Sequence, residues 1–241
     1  MIKKLKFCKN KEDFDQKINL FFERESKGYC CLINPNIIIN SFKSRTYLKI
    51  VSSGVFNVCD AISVQLINNF TKRNKIKAYP GPDLFKKLII ETGKSQFFIG
   101  GESHALLVSL KENIKNPNIT DADLFCPPFI AVNDFDYVEI AKLINQKKPD
   151  IIWVGLGAPK QEIFMSKLLP HIDKGLMIGV GAAFNFYSGY KTYKRAPKIL
   201  RKLKLEWLYR LMREPKKTFP RILRNIVYLP IILVNELFNI K

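Results

Sequence analysis

The chain has 241 residues, 47% of them hydrophobic and 25% charged, which excludes a disordered chain and allows a sizeable core. The net charge of +19 predicts an anionic partner: nucleic acid, an anionic membrane surface or a phosphorylated substrate. The five cysteines form no CxxC pair and have no histidine nearby, so a disulfide framework and a zinc site are disfavoured and a reducing cytosol is expected.

Neither a targeting segment nor a membrane span is predicted. The N-terminal stretch is basic but lacks the apolar core of a signal peptide, so we expect no secretion signal. The apolar stretches fall short of the about 18 residues that a spanning helix needs.

Short apolar runs alternate with longer stretches of helical spacing. The apolar runs that predict strands lie at residues 29–33, 54–58, 95–100, 123–129, 150–156 and 175–181. Helical spacing follows at residues 61–70, 102–114 and 135–148. Near-continuous apolar runs are typical of parallel strands covered on both faces. The alternation therefore predicts an α/β fold with a largely parallel sheet flanked by helices.

Composition changes after about residue 190. Residues 191–224 contain 13 Lys plus Arg against two acids, whereas the stretch that follows is mostly apolar. We therefore predict a catalytic or binding domain over residues 1–190 and a basic, amphipathic, helical C-terminal appendage over residues 191–241.

Polar and glycine residues lie at several candidate strand ends and loops. They are Asn34, Asn36, Asp60, Gly81, Asp83, Gly100, Gly101 and Gly181. Ligands of parallel α/β sheets bind at the carboxyl ends of strands, so this edge is the candidate site. Any one such loop is explained equally simply as Gly and Pro ending a strand.

The segment VGLGAPKQE, residues 154–162, combines Gly157, Pro159, Lys160, Gln161 and Glu162 after a buried strand. It is neither the dinucleotide fingerprint nor a P-loop, because Lys160 takes the place of the third glycine. Pro159 suits the first turn of a helix, which would place Gln161 near the sheet edge. The Gln161 amide could donate to and accept from a nucleotide.

Several blocks together resemble the WecG/TagA/CpsF family of bacterial glycosyltransferases. The blocks are CLINPN, VFNVCDA, AYPGPDLF, FFIGG, VGLGAPKQEIFM and GVGAAFNFYSGYKTYKRAPKILRKLKLEWLYRLMREPKK. The resemblance covers roughly residues 30–217. It implies a Rossmann-like fold with a C-terminal appendage that helps to complete the site and contacts the membrane.

The resemblance also implies an activity. Members of this family transfer a sugar, often N-acetylmannosamine, with inversion from a UDP-sugar to a polyprenyl-diphosphate-linked sugar. They contribute to cell-surface polysaccharides such as capsule, O-antigen or teichoic acid at the cytoplasmic face of the membrane. The reaction is thought to need no metal, and we expect no cofactor.

Residue roles follow from the same resemblance. Asp60 matches the proposed catalytic base; the alternative is an N-cap of helix 61–70. Asn36 could orient the acceptor or could be a turn residue after Pro35. Stabilisation of the leaving diphosphate would come from Gly157, Lys160 and Gln161 and from cations of the appendage. Those cations include Arg195, Arg210, Arg213, Arg221 and Arg224.

Three positions depart from the family pattern. Asn34 stands where many members have Thr, Ala61 where many have Gly, and Asn185 where many have Asp. Asn185 is expected near the nucleotide or sugar, where an amide keeps hydrogen bonds but removes a charge. The donor sugar could therefore differ from N-acetylmannosamine.

The end of the appendage predicts an interfacial helix on anionic lipid. The residues expected to bind the membrane are Lys216, Lys217, Arg221, Ile222, Leu223 and Arg224. The alternative is that the helix packs on the protein's own core or on a partner subunit. The oligomeric state is left open by the sequence.

Other functions fit parts of the pattern. A nucleic-acid-binding protein is allowed by the charge, but no nucleic-acid-binding motif supports it, and we expect no nucleic acid partner. A nicotinamide dehydrogenase lacks its fingerprint, and Asp121 with Asp123 is a weak metal motif. A membrane-docked, non-catalytic subunit of a polysaccharide assembly stays open.

Overall fold

A computed structural model describes residues 1–71, 75–189, 195–203 and 205–238. These residues contain six strands: β1 (Lys27–Ile33), β2 (Phe56–Cys59), β3 (Gln96–Gly100), β4 (Leu124–Phe125), β5 (Ile151–Gly155) and β6 (Gly175–Gly179). The strands form one sheet in the order β2-β1-β6-β5-β3-β4, and every neighbouring pair is parallel. All carboxyl ends therefore meet at one edge.

Helices cover the sheet and continue into the appendage. They are α1 (Lys11–Glu23), α2 (Pro35–Lys43), α3 (Arg45–Ser52), α4 (Ile62–Thr71), α5 (Gly81–Glu91), α6 (His104–Ile114), α7 (Tyr137–Lys147), α8 (Lys160–Leu168), α9 (Ala183–Tyr187), α10 (Lys198–Lys202), α11 (Glu206–Arg213) and α12 (Pro215–Phe238). The α/β fold with a parallel sheet is thus confirmed, as are helices close to residues 61–70, 102–114 and 135–148.

One strand is shorter than the sequence predicts. The run 123–129 contributes only β4, two residues long, before Pro127 and Pro128. Proline has no N–H to donate to a ladder, so this edge strand ends there.

The strands are buried on both faces, which explains their continuous apolar runs. All four residues of β2 and all five of β3 are buried, and so are the first four residues of β5. The polar groups within this interior pair with each other: the Trp153 indole Nε1 donates to the Gln96 carbonyl oxygen over 2.7 Å. The sheet interior leaves no place for reactive side chains except at the strand ends.

Helix α12 packs on the sheet domain through one stripe. Arg224, Tyr228, Ile232 and Glu236 recur every four residues, the spacing of one helix face. Arg224 donates to Asn40 over 2.7 Å, the Lys43 ammonium lies 4.2 Å from the Tyr228 ring centre, and Ile232 is fully buried. This face of α12 therefore packs on the protein's own core, which is the alternative that the sequence left open for the tail.

The opposite face of α12 is exposed and apolar. It carries Phe219, Leu223, Ile226, Val227, Ile231, Val234 and Leu237. Ile222 is only half-buried, and Arg221 is exposed. Within the described ranges, no helix has both the length and the apolar character that crossing a membrane requires.

Truncating Ile232 tests whether α12 is part of the cooperative fold. We expect Ile232→Ala to lower the free energy of unfolding by about 2–5 kcal/mol, because a fully buried isoleucine leaves a cavity. Ile231→Ala, whose side chain is 43% exposed on the same helix, is the control and should cost under about 0.5 kcal/mol. Urea unfolding followed by circular dichroism measures both; equal, small effects would mean that α12 is not docked in solution.

Candidate functional site

The ends of β1 and β5 are joined at the carboxyl edge by an asparagine. Asn34 follows β1 and caps α2, its side-chain oxygen accepting from the Ile37 N–H over 3.2 Å. Asn36, the second residue of α2, donates from Nδ2 to the Ala158 carbonyl over 3.1 Å. Asn36 is half-buried, so the amide both ties the two loops together and keeps an accessible side.

Asp60 follows β2 and is held by the start of α5. Its Oδ1 accepts from the Gly81 N–H over 2.6 Å. A Cβ at Gly81 would lie 2.7 Å from Leu32 and 3.3 Å from Asp60 Oδ1, so only glycine lets α5 approach this closely. Asp60 therefore accepts its hydrogen bond from the start of α5, 21 residues later in the chain, and not from α4, the helix that it was expected to cap in the alternative interpretation.

The surroundings of Asp60 shift the pKa of its carboxyl. Burial raises the pKa of its carboxyl, and Glu206 acts in the same direction. The Gly81 N–H and the positive charges of Arg210 and Arg195 act against that rise. A carboxyl with a raised pKa takes up a proton more readily than one with an ordinary pKa.

Cations of the appendage reach this edge. Arg195 makes a two-pronged ion pair with Asp83, with Nη1 to Oδ1 at 2.6 Å and Nη2 to Oδ2 at 3.0 Å. Arg210 pairs with Glu206 over 2.8 Å and lies 5.0 Å from the Phe186 ring centre.

The two arginines of α11 remain accessible. The Arg210 side chain is 43% exposed, and Arg213 is exposed on the same helix. Both side chains are thus partly or fully exposed, whereas Arg195 is bound within the protein.

Glycines let the loops after β3 and β5 lie against each other. Gly100 has φ +127°, and a Cβ there would stand 2.8 Å from the backbone of Gly155. Gly101, Gly157 and Gly181 also have positive φ values. The predicted strand-end glycines thus line one edge of the sheet.

Gln161 and Glu162 differ from the roles that the sequence predicts. The Gln161 side-chain oxygen accepts from the N–H groups of Gly157 (3.2 Å) and Gly181 (3.0 Å), and its Nε2 donates to Glu162 over 2.7 Å. Both side chains are buried, so the Gln161 amide and the Gly157 N–H are bonded within the fold rather than directed at a nucleotide. They hold the loops after β5 and β6 in place.

Glu162 extends this chain of hydrogen bonds into the core. Its Oε2 accepts from the Tyr47 hydroxyl over 2.8 Å, and the carboxyl is fully buried. Burial raises the pKa of Glu162, more than the Tyr47 and Gln161 hydrogen bonds lower it. No local sequence signal identifies Tyr47, because it occupies an ordinary apolar position of α3.

The remaining predicted residues lie around the same edge. Pro159 precedes α8 and is exposed. Lys160 donates to the Ile130 carbonyl over 2.6 Å and lies 5.3 Å from the ring centre of Phe129, which is fully exposed. Asn185 is half-buried on α9, after β6.

The acidic pair in the loop before β4 is engaged with lysines. Asp121 pairs with Lys111 over 2.6 Å, and Asp123 pairs with Lys147 over 3.4 Å and accepts from the Thr120 hydroxyl. Among the described residues, no three His, Cys, Asp or Glu side chains cluster as a metal site.

The profile of the glycosyl transferase WecG/TagA/CpsF family matches residues 5–241, nearly the whole chain. The chain belongs to this family of glycosyltransferases. Asp60, Asn36 and the basic segment from Arg195 are thus the carboxyl-edge residues of a WecG/TagA/CpsF enzyme.

Three relatives of this chain carry the name N-acetylglucosaminyldiphosphoundecaprenol N-acetyl-beta-D-mannosaminyltransferase. The protein of Bacillus subtilis strain 168 is 31% identical over 76% of this chain and 70% of its own length. That of Bacillus spizizenii W23 is 26% identical over 92% and 84%, and that of Staphylococcus aureus MW2 is 28% identical over 84% and 79%.

The buried Glu162 makes the stability of the fold pH-dependent. Because its folded-state pKa is raised above the ordinary value of 4.5, its stabilising contribution is present below that pH and is lost as the pH rises through the folded-state pKa. We therefore expect Glu162→Gln to gain stability relative to the wild type as the pH rises above 4.5. Urea unfolding at several pH values measures the difference; curves that stay parallel would show that Glu162 does not titrate abnormally.

Proposed function

We propose that the protein is an inverting glycosyltransferase that moves a sugar from a UDP-sugar to a polyprenyl-diphosphate-linked sugar at the inner face of the cell membrane. The sugar is of the N-acetylmannosamine type, as in the names of the relatives, or another hexose. The product would be an intermediate of a cell-surface polymer.

One observation carries the proposal. A half-buried carboxylate with a raised pKa, Asp60, lies at the carboxyl edge of a parallel sheet within the electrostatic reach of Arg195 and Arg210. A base next to fixed cations is what direct displacement of a nucleotide diphosphate requires.

The chemistry follows from this arrangement. Asp60 removes the proton from the acceptor hydroxyl as the oxygen attacks the anomeric carbon, and the bond from that carbon to the diphosphate breaks on the opposite face. Asn36 orients the acceptor through the accessible side of its amide. Arg210, Arg213 and Lys160 stabilise the charge that develops on the leaving UDP.

The loops after β3, β5 and β6 form the donor pocket in this proposal. Gly100 and Gly101 allow close approach of the backbone, and Asn185 faces the sugar or ribose with an uncharged amide. Gln161 and Glu162 support the pocket from inside through their hydrogen bonds. Asn34 contributes by fixing the start of α2.

The outward face of α12 is proposed to lie on anionic lipid. Its apolar side chains follow one stripe, and Lys216, Lys217 and Arg221 stand exposed near its start. Such a helix binds the interface through its apolar face while cations meet lipid headgroups, each contributing about 1 kcal/mol. Leu223 is 52% exposed, whereas Arg224 is bonded to Asn40, so Leu223 contributes and Arg224 anchors the helix to the domain.

The first test replaces the proposed base. We expect Asp60→Asn to lower acceptor-dependent UDP release by about 100-fold to 10,000-fold, since the amide cannot accept the proton. The assay uses a panel of UDP-sugars, polyprenyl-diphosphate-GlcNAc in detergent, and EDTA. In the wild type, kcat/KM should fall at acid pH with an apparent pKa above 3.8, the ordinary value for aspartate, because burial raises the pKa of Asp60.

Asp121→Asn is the matched control, because Asp121 is an exposed, lysine-paired aspartate outside the site, and it should retain full activity. Undiminished release by Asp60→Asn would remove Asp60 as the base. Release that EDTA abolishes would point to a metal, and no release with any donor would favour a non-catalytic, membrane-docked subunit.

The second test addresses membrane docking. We expect Val227→Glu to reduce sedimentation with vesicles of anionic lipid at least about fivefold, because it places a charge on the apolar face. Val138→Glu on α7 is the matched control, since the two valines are 52% and 51% exposed. Binding should weaken as salt is raised and should not occur with a DNA duplex; equal loss in both variants or tight DNA binding would contradict the membrane assignment.

A further inference from the structure

The first turn of α5 is bound on three sides. The Gly81 N–H donates to Asp60 over 2.6 Å. The Pro82 carbonyl accepts from the Tyr187 hydroxyl over 2.9 Å. The Asp83 carboxylate accepts two hydrogen bonds from Arg195, at 2.6 and 3.0 Å. One helical turn thus connects the proposed base to the basic segment that follows residue 194.

The Asp83–Arg195 pair is enclosed on the arginine side, whereas the Asp83 side chain is 39% exposed. The Arg195 side chain is only 12% exposed, and its Nη1 also lies 3.4 Å from the Tyr187 hydroxyl. Burial acts to raise the pKa of Asp83, but the hydrogen bonds and charge of Arg195 outweigh it and hold that pKa below its usual value. The carboxylate is therefore ionised across the physiological range, and the pair persists there.

The geometry of the pair restrains rotation. Two parallel N–H···O bonds between a guanidinium and a carboxylate fix both groups in one plane, which a single ion pair does not. Fixing Asp83 fixes the direction of the Gly81 N–H two residues earlier. The Gly81 N–H in turn sets where the Asp60 carboxylate lies.

We propose that Asp83, Arg195 and Tyr187 form a positioning unit that holds Asp60 through the first turn of α5. Tyr187 contributes its hydrogen bond to the Pro82 carbonyl and its contact with Arg195. The unit rests on the proposed role of Asp60 as the base. It couples the appendage to catalysis, because Arg195 belongs to the basic segment and Asp60 to the sheet domain. Asp83 and Arg195 do not contact the substrate in this role, in contrast to the substrate-binding role that the sequence predicts for them.

One feature favours the competing role. The Nε of Arg195 is buried and has no hydrogen-bond partner among the described residues. An anionic ligand could be that partner, in which case Arg195 binds the donor directly. The two roles differ in which kinetic constant they control.

The experiment uses the full-length chain in detergent with Asp83→Asn, Arg195→Gln, the double variant and Tyr187→Phe. We expect each single change at the pair to lower kcat by about 100-fold while the KM for the UDP-sugar changes little, because a misplaced base slows chemistry without weakening donor binding. The double variant should be no slower than either single variant, since both remove one interaction. Arg195→Lys should restore little, because an ammonium cannot form the two-pronged pair.

A second readout does not depend on catalysis. Hydrogen exchange of the Gly81 N–H, followed by NMR, should become at least about 10-fold faster in Arg195→Gln and in Tyr187→Phe. Asp121→Asn breaks an exposed ion pair of the same length, 2.6 Å, and should change neither exchange nor kcat. A variant that folds poorly would also exchange core amides such as that of Val180 faster, so only a rise at Gly81 without a rise at Val180 supports the unit.

The outcomes separate the inference from the proposed function. A rise of at least about 10-fold in donor KM, with kcat and Gly81 exchange unchanged, would assign Arg195 to substrate binding and overturn the positioning unit. If Asp60→Asn keeps full activity, the proposed base is lost, and Gly81 exchange alone then decides the inference: faster exchange supports the unit, and unchanged exchange overturns it.

Discussion

Burial of the parallel strands on both faces is the constraint on which the rest of the molecule depends. A sheet covered by helices on each side has an apolar interior, so its strands read as continuous apolar runs. Polar side chains of the sheet can therefore reach a ligand only where the strands end. Because all six strands are parallel, those ends meet at one edge, and Asn36, Asp60 and the loops that follow β3, β5 and β6 are gathered there.

Hydrogen bonds inside this edge decide which polar residues face outward. Gln161 and Glu162 form a buried chain with Tyr47, so their polar atoms are satisfied within the protein. A buried polar group without a partner is costly, and this chain removes that cost while it fixes the loops after β5 and β6. Asp60 accepts one hydrogen bond from Gly81 and is half-buried, so its carboxyl is not fully enclosed.

The basic appendage has two distinct relations to the rest of the chain. Part of its charge is bound inside the protein, as in the pairs of Arg195 with Asp83 and of Arg224 with Asn40. The rest, including Arg210, Arg213 and the lysines at the start of α12, stays accessible. The positive charge of the appendage is therefore divided between contacts with the domain and an exposed surface.

The sequence by itself determined the fold class, the strands, the strand-end position of Asp60 and the family, because these follow from local periodicity and from residue blocks in a fixed order. It also determined that the end of the appendage is an amphipathic helix. Only the tertiary structure decided that Gln161 points inward, that Arg195 pairs with Asp83, and which face of α12 packs on α2. These pairs join residues that are 20 to 184 positions apart. Local patterns report which face of an element is apolar, but not which distant side chain completes a buried polar group.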